Sequence, residues 1–216
     1  AVVGQSERSV DLLPGGSQRT ATGRYTVYLE ELVLEPGDFI SYYARVLDTN
    51  TGEGAGEVRS DIYFLQVRPF DQEFEDAESQ AMSSMDATEL DDIVVLQKEI
   101  IVATWRLDRQ AVGARRTADV DSVADTQEEL RWATSRLAQR LLTRDQRGTS
   151  RARGRSSAEV QALRNAVAAM TEAELRLRAD ETSRAVPSEM DALNYLLRAE
   201  AEVRRRQVSA QKGGTG

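Results

Sequence analysis

The stretch Leu34-Glu35-Pro36-Gly37-Asp38-Phe39-Ile40-Ser41-Tyr42-Tyr43-Ala44-Arg45-Val46-Leu47-Asp48 decides how this chain is read. Pro36-Gly37-Asp38 is a turn with a mechanism, because proline presets φ at the second position and glycine accepts a positive φ at the third. Beyond the turn, Ile40, Tyr42, Ala44 and Val46 alternate on one face, the period of a strand. On the N-terminal side, residues 8–13 read as a short strand closed by Pro14-Gly15-Gly16-Ser17. Residues 24–29 read as another strand, with Tyr25, Val27 and Leu29 on one face. On the C-terminal side, residues 59–67 read as a strand with Tyr63, Leu65 and Val67 on one face and Ile62 and Phe64 on the other. Pro69 ends it.

Asp38, Ile40, Tyr42 and Ala44 follow the alternating pattern with which immunoglobulin-like domains enter their sixth strand. Tyr42 is the expected corner tyrosine, its hydroxyl bonded back to the turn backbone, and Ala44 stands where many such domains carry Cys. About four strands precede the helices, whereas that fold needs roughly seven. Residues 1–70 are therefore expected to be a partial immunoglobulin-like β-sandwich whose missing strands lie upstream. The chain does not begin with Met and is expected to be a piece of something longer.

Residues 71–92 carry nine acidic side chains and no basic one, so 71–88 read as an acidic linker, with Asp86 or Thr88 capping the next helix. Four amphipathic segments follow. The first, 89–115, has Ile93, Leu96, Ile100, Ala103 and Leu107 at helical spacing, widened by Trp105. The second, 121–147, has Leu130, Leu137 and Leu141. The third, 157–180, has Val160, Leu163, Val167 and Met170 alternating three and four apart, as in a coiled-coil seam. The fourth is expected to start after Pro187-Ser188-Glu189 and carries Met190, Leu193 and Leu197 towards residue 211. Residues 148–156 form a basic linker and 212–216 a tail. Such narrow stripes are stabilised by packing on one another. They predict one helical hairpin over 89–147 and a second over 157–211, or a long bent coiled coil. The fold class is then α+β, mostly α.

Composition narrows the chemistry. The 216 residues include no Cys and no His, which removes disulfides, thiolate metal sites and every His-dependent triad. The net charge of -8 argues against a nucleic-acid partner for the whole chain. No apolar run approaches the roughly 20 residues that span a bilayer. Asp48-Thr49-Asn50-Thr51-Gly52-Glu53-Gly54 resembles the opening of a calcium loop, but its later ligands are out of register, and a plain hairpin loop explains it as well. Arg144, Arg147, Arg151, Arg153 and Arg155 form a basic cluster whose natural counterpart is the acidic run, in the same or another copy. Trp105 and Trp132 read as packing residues. Asp125 and Glu129 read as a solvated face. No catalytic, cofactor or metal-binding constellation emerges.

Four stretches carry a resemblance. They are the opening one, then Ser60-Asp61-Ile62-Tyr63-Phe64-Leu65-Gln66-Val67-Arg68-Pro69-Phe70, then Leu96-Gln97-Lys98-Glu99-Ile100-Ile101-Val102-Ala103-Thr104, then Leu196-Leu197-Arg198-Ala199-Glu200-Ala201-Glu202-Val203-Arg204-Arg205-Arg206-Gln207-Val208. Together they resemble an uncharacterised bacterial domain-of-unknown-function family of large membrane-anchored proteins, in which immunoglobulin-like sequence is followed by coiled-coil segments. The resemblance implies an envelope location on the periplasmic side of the inner membrane, with membrane attachment only through an upstream region. It supplies no catalytic residues.

The expected function is a structural or protein-interaction module that is not an enzyme and needs no cofactor. Its helix interface, Ile93, Leu96, Ile100, Trp105, Leu130, Leu137, Leu141, Val160, Leu163, Val167, Met170, Leu193 and Leu197, is expected to mediate self-association, as a homo-oligomer, or docking of an envelope partner. The alternative is an envelope polysaccharide-binding module that uses Tyr43, Tyr63 or the loop at 48–56.

Overall fold

The computed structural model describes residues 8–12, 22–47, 56–68, 81–147 and 158–212. Four long helices make most of it: α1 (Ala81–Asp108), α2 (Ala114–Arg147), α3 (Ala158–Arg178) and α4 (Thr182–Lys212). Four short strands precede them: β1 (Phe39–Tyr42), β2 (Arg45–Leu47), β3 (Glu57–Arg59) and β4 (Tyr63–Gln66). The fold is α+β and mostly α.

The helices pack in a ring, α1 on α2, α2 on α3, α3 on α4 and α4 on α1. Cross-helix partners set their directions. Asp86 and Glu89 early in α1 meet Arg144 and Arg140 late in α2, while Gln97 meets Gln127. Glu174 in α3 meets Arg131 in α2, and Arg178 meets Glu128. Asp91 meets Arg204, and Thr104 meets Glu189, between α1 and α4. With the tight α3–α4 turn, each neighbouring pair is antiparallel, which makes an up-down-up-down bundle. The two expected hairpins thus close into one body, because α2 and α3 pack together across the joint at 148–157.

Helix ends fall differently from the sequence reading. α1 already includes residues 81–88, so Asp86 and Thr88 lie inside it rather than capping it. It stops at Asp108, and α2 starts at Ala114, where the Gly113 carbonyl accepts from the Thr117 N–H at 3.0 Å. Arg115 therefore belongs to α2. α4 starts at Thr182 and contains Pro187 in its interior. The reason is the preceding turn. Asp180 takes φ 57°, Glu181 N–H donates to the Arg176 carbonyl and Asp180 N–H to the Leu177 carbonyl, which is a Schellman stop. The Glu181 carbonyl then accepts from Arg184 and Ala185, opening α4 before proline is reached.

One core cluster runs through the bundle. It includes Leu90, Ile93, Ile100 and Ile101 of α1, Leu130, Leu137 and Leu141 of α2, Val160, Leu163 and Met170 of α3, and Leu193, Leu196 and Leu197 of α4. A smaller cluster, Leu107, Val120, Ala124, Leu177 and Ala185, closes the end that carries the two tight turns. Arg116 clasps that end. It is buried, donates to the Leu107 carbonyl and to Thr182 Oγ1, and pairs with Asp180. Thr182 in turn donates to Asp108.

The strands form one long antiparallel hairpin with a fault in its middle. β1 pairs with β4 from Phe39↔Gln66 to Tyr42↔Tyr63, and β2 pairs with β3 from Arg45↔Arg59 to Leu47↔Glu57. Between these ladders one strand spends residues 43 and 44 and the other residues 60, 61 and 62. That extra residue is a β-bulge. Ser60 N–H donates to the Ala44 carbonyl and Ala44 N–H to Ser60 Oγ, both at 2.9 Å, which holds the fault together. The strands expected at 8–13 and 24–29 do not form among the described residues. Residues 22–28 are irregular and lead into a 3₁₀ turn, Leu29–Glu31. Alternation alone does not make a strand when no neighbour supplies hydrogen bonds. The described sheet is a single hairpin rather than half a sandwich. The calcium-like loop at 48–54, the acidic residues 71–80 and Arg151, Arg153 and Arg155 lie outside the described residues.

Candidate interaction surface

The hairpin has an inner and an outer face, and both are apolar. Phe39, Tyr43, Ile62 and Phe64 turn inward onto the helical core. Phe39 and Phe64 pack with ring centroids 5.8 Å apart, and Tyr43 packs on Trp105 at 4.7 Å. Trp105 also donates its indole N–H to the Ser60 carbonyl at 2.9 Å. Asp61, in the bulge, accepts from Arg106 and Arg109 of α1. These two guanidiniums, Arg106 first, hold the Asp61 carboxyl down at about 2.

α4 holds the other margin. Gln66 donates to Glu200 and accepts from Lys98, and Asp38 pairs with Arg198. Burial lowers the pKa of Lys98, against an upward pull from Glu200. At the Pro36-Gly37 turn, Gly37 holds φ 98°. A Cβ there would lie 3.1 Å from both Arg198 Cα and the Leu197 carbonyl oxygen. Only glycine lets strand backbone approach helix backbone so closely. The crevice along this seam, lined by Gln66, Val67, Leu197 and Glu200 among others, has a volume of about 10 Å³, enough for about one water.

The outer face carries Ile40, Tyr42 and Val46, the residues whose alternation marked the strand in the sequence. Ile40 sits opposite Leu65, Tyr42 opposite Tyr63, and Val46 opposite Val58. Tyr42 and Tyr63 stack at 5.5 Å while 55% and 53% exposed; Val46 and Val58 are 64% and 68% exposed. The bulge is what keeps Val58 outward beside Val46, although Ile62, four residues later, points inward. This corrects the corner-tyrosine reading of Tyr42, whose ring turns to solvent and stacks across the strand pair instead of folding back on the turn. Tyr43, proposed for sugar contact, is committed to Trp105.

The expected helix residues divide. Ile93, Ile100, Leu130, Leu137, Leu141, Val160, Leu163, Met170, Leu193 and Leu197 are buried inside the bundle. Val167 is half-buried. Trp105 serves the helix–sheet contact. Leu96 is 43% exposed, and the seam position beside it belongs to Gln97, which is wholly buried. The stripes are thus spent within the chain. The sequence reading also missed the polar members of the seam, Gln97, Thr104, Gln127, Thr134 and Glu189, all wholly buried. Their three- and four-residue spacing from Ile93, Ile100, Leu130 and, for Glu189, Leu193 was the available signal. Trp132 is exposed under the Arg131 guanidinium at 4.9 Å.

Among the described residues no helix is long and apolar enough to cross a membrane. Comparison with protein-family models, with curated proteins and with solved structures finds no match.

Proposed function

We propose that this chain is a structural and protein-interaction module whose helical bundle is a platform for the β hairpin, and that the outer face of the hairpin docks a β-structured partner protein. The observation that carries this reading is the outward pairing of Ile40↔Leu65, Tyr42↔Tyr63 and Val46↔Val58, in which every member but the half-buried Ile40 is exposed. A hairpin with one wet face alternates apolar and polar residues; one apolar on both faces is the middle layer of a larger stack. The helices are not the docking element in this reading, since their stripes form the bundle core. The envelope setting rests on the resemblance of the four quoted stretches.

A photo-crosslinking residue in place of Tyr63, with a control in place of Arg136 on α2, tests this in the host cell. Crosslinks to one protein from position 63 and none from 136 are the expected result. No protein adduct from position 63 overturns it. A second reading, a polysaccharide-binding face, is favoured by the exposed Tyr42–Tyr63 stack. It predicts glycan binding that is lost in Tyr42→Ala and Tyr63→Ala while Tyr43→Phe retains it.

A further inference from the structure

The seam of the bundle changes character at its middle. Gln97 and Thr104 lie seven residues apart on α1, Gln127 and Thr134 seven apart on α2, and Glu189 faces them from α4. Gln97 and Gln127 exchange side-chain amide bonds at 3.2 Å, and Gln97 Nε2 also reaches the Glu189 carbonyl at 3.4 Å. Thr134 donates to the Leu130 carbonyl of its own helix at 2.8 Å. Thr104 donates to Glu189 Oε1 at 2.7 Å, whereas the buried Glu189 Oε2 has no hydrogen-bond partner.

No charge answers this carboxyl. From α1 it meets Thr104, while Gln97 bonds the backbone carbonyl of Glu189 rather than its carboxyl. α2 presents Gln127 at the same level. The turn at Asp180 brings Met170 and Ala173 of α3 to this height, and both are fully buried and apolar. The other buried charged residues among those described are Glu200, further along α4, Glu159 near the start of α3, and Arg116, paired with Asp180 at the end of the bundle. An isolated carboxylate is costly in such a place, and the group escapes that cost by holding its proton. Two residues earlier, Pro187 has no N–H to give the helix, so α4 lacks a backbone bond just before Glu189.

We propose that Glu189 is a buried proton-binding site that latches α4 onto α1, closed when the acid is neutral and released at the Pro187 turn when it ionises. Burial pushes the acid up to about 8, and the Thr104 hydrogen bond opposes the shift. The sign follows from linkage. A raised folded pKa means that the folded state holds a proton the open state has given up between about 4.5 and 8. Stability is therefore greatest in mild acid and falls as pH rises through that window, the reverse of an ion-paired carboxylate.

Hydrogen exchange of the full chain tests the latch. After correction for intrinsic rates, amides around residues 185–193 should lose protection about tenfold per pH unit between pH 6 and 8. Glu189→Gln should flatten that dependence and raise the midpoint of thermal unfolding at pH 8.5. Glu200→Gln should leave the dependence in place. Parallel profiles for wild type and Glu189→Gln overturn the proposal. Should Glu189→Gln fail to fold, carbon-13 NMR of the Glu189 carboxyl in the wild type decides the matter: titration near 8 supports the latch, and titration near 4.5 in the intact bundle overturns it.

Discussion

The indole N–H of Trp105 donates to the carbonyl of Ser60 at 2.9 Å, which ties the last turn of α1 to the first residue of the hairpin's bulge. Because Ser60 also bonds Ala44 through both its N–H and its hydroxyl, this one bond fixes both strands to the bundle. Trp105→Phe keeps an aromatic ring against Tyr43 and removes the donor. It should cost about 1–3 kcal/mol in urea unfolding, the scale for a part-buried acceptor left unpaired. An unchanged midpoint would show that the hairpin is held by its apolar face alone.

Gly37→Ala tests the close approach at the other margin. The new methyl meets α4 backbone at 3.1 Å while the residue keeps φ 98°. Strain and steric shift together should cost about 1–3 kcal/mol. The damage should be local. Amide protection should fall at residues 37–40 and 63–67, with the α1–α2 contact unaffected.

Arg116→Lys should fail to replace arginine at the clasp. Three acceptors, the Leu107 carbonyl, Asp180 and Thr182, are served by one planar fork that an ammonium group cannot copy. Both Arg116→Lys and Arg116→Met should lower stability by about 2–4 kcal/mol, since a polar cluster is left half-satisfied at a buried end. A lysine variant with wild-type stability would contradict the fork argument.

Acid should loosen the hairpin, not the bundle. The folded pKa of Asp61 is depressed from 3.8 to about 2 by Arg106 and Arg109, so its contribution is fully present above pH 3.8 and disappears as pH falls towards 2. Fluorescence of Trp105 in a Trp132→Phe background should report the change, and Asp61→Asn should remove its pH dependence. The window lies below that of Glu189 and has the opposite slope.

Much of this was readable from particular residues. Pro36 and Gly37 gave the turn, and the apolar spacing gave four helices. Which face the bundle covers was not readable, because Ile40, Tyr42 and Val46 alternate as cleanly as Phe39, Ser41 and Tyr43, and alternation does not say which side is covered. Leu96 displaced Gln97 in the reading because apolar residues are assumed to own the seam. Here a polar layer occupies it, and such a layer trades stability for a specified register. Pro187 suggested a helix start, but the left-handed Asp180 and its Arg116 partner had already made one. That α2 would pack on α3 depends on contacts between stripes, which a single stripe does not disclose.

The hairpin leans on the last helix. Gln66 bonds Glu200 across 134 residues of chain, and Gly37 seats on Leu197 and Arg198. During synthesis at about 5–20 residues per second, the strands emerge roughly 7 to 27 s before the helix that flanks them. For that interval the inner apolar face, which the bundle later covers, stands as open on the ribosome as the outer one. Chaperone engagement in the nascent chain should therefore concentrate on residues 39–66 and weaken when α4 arrives.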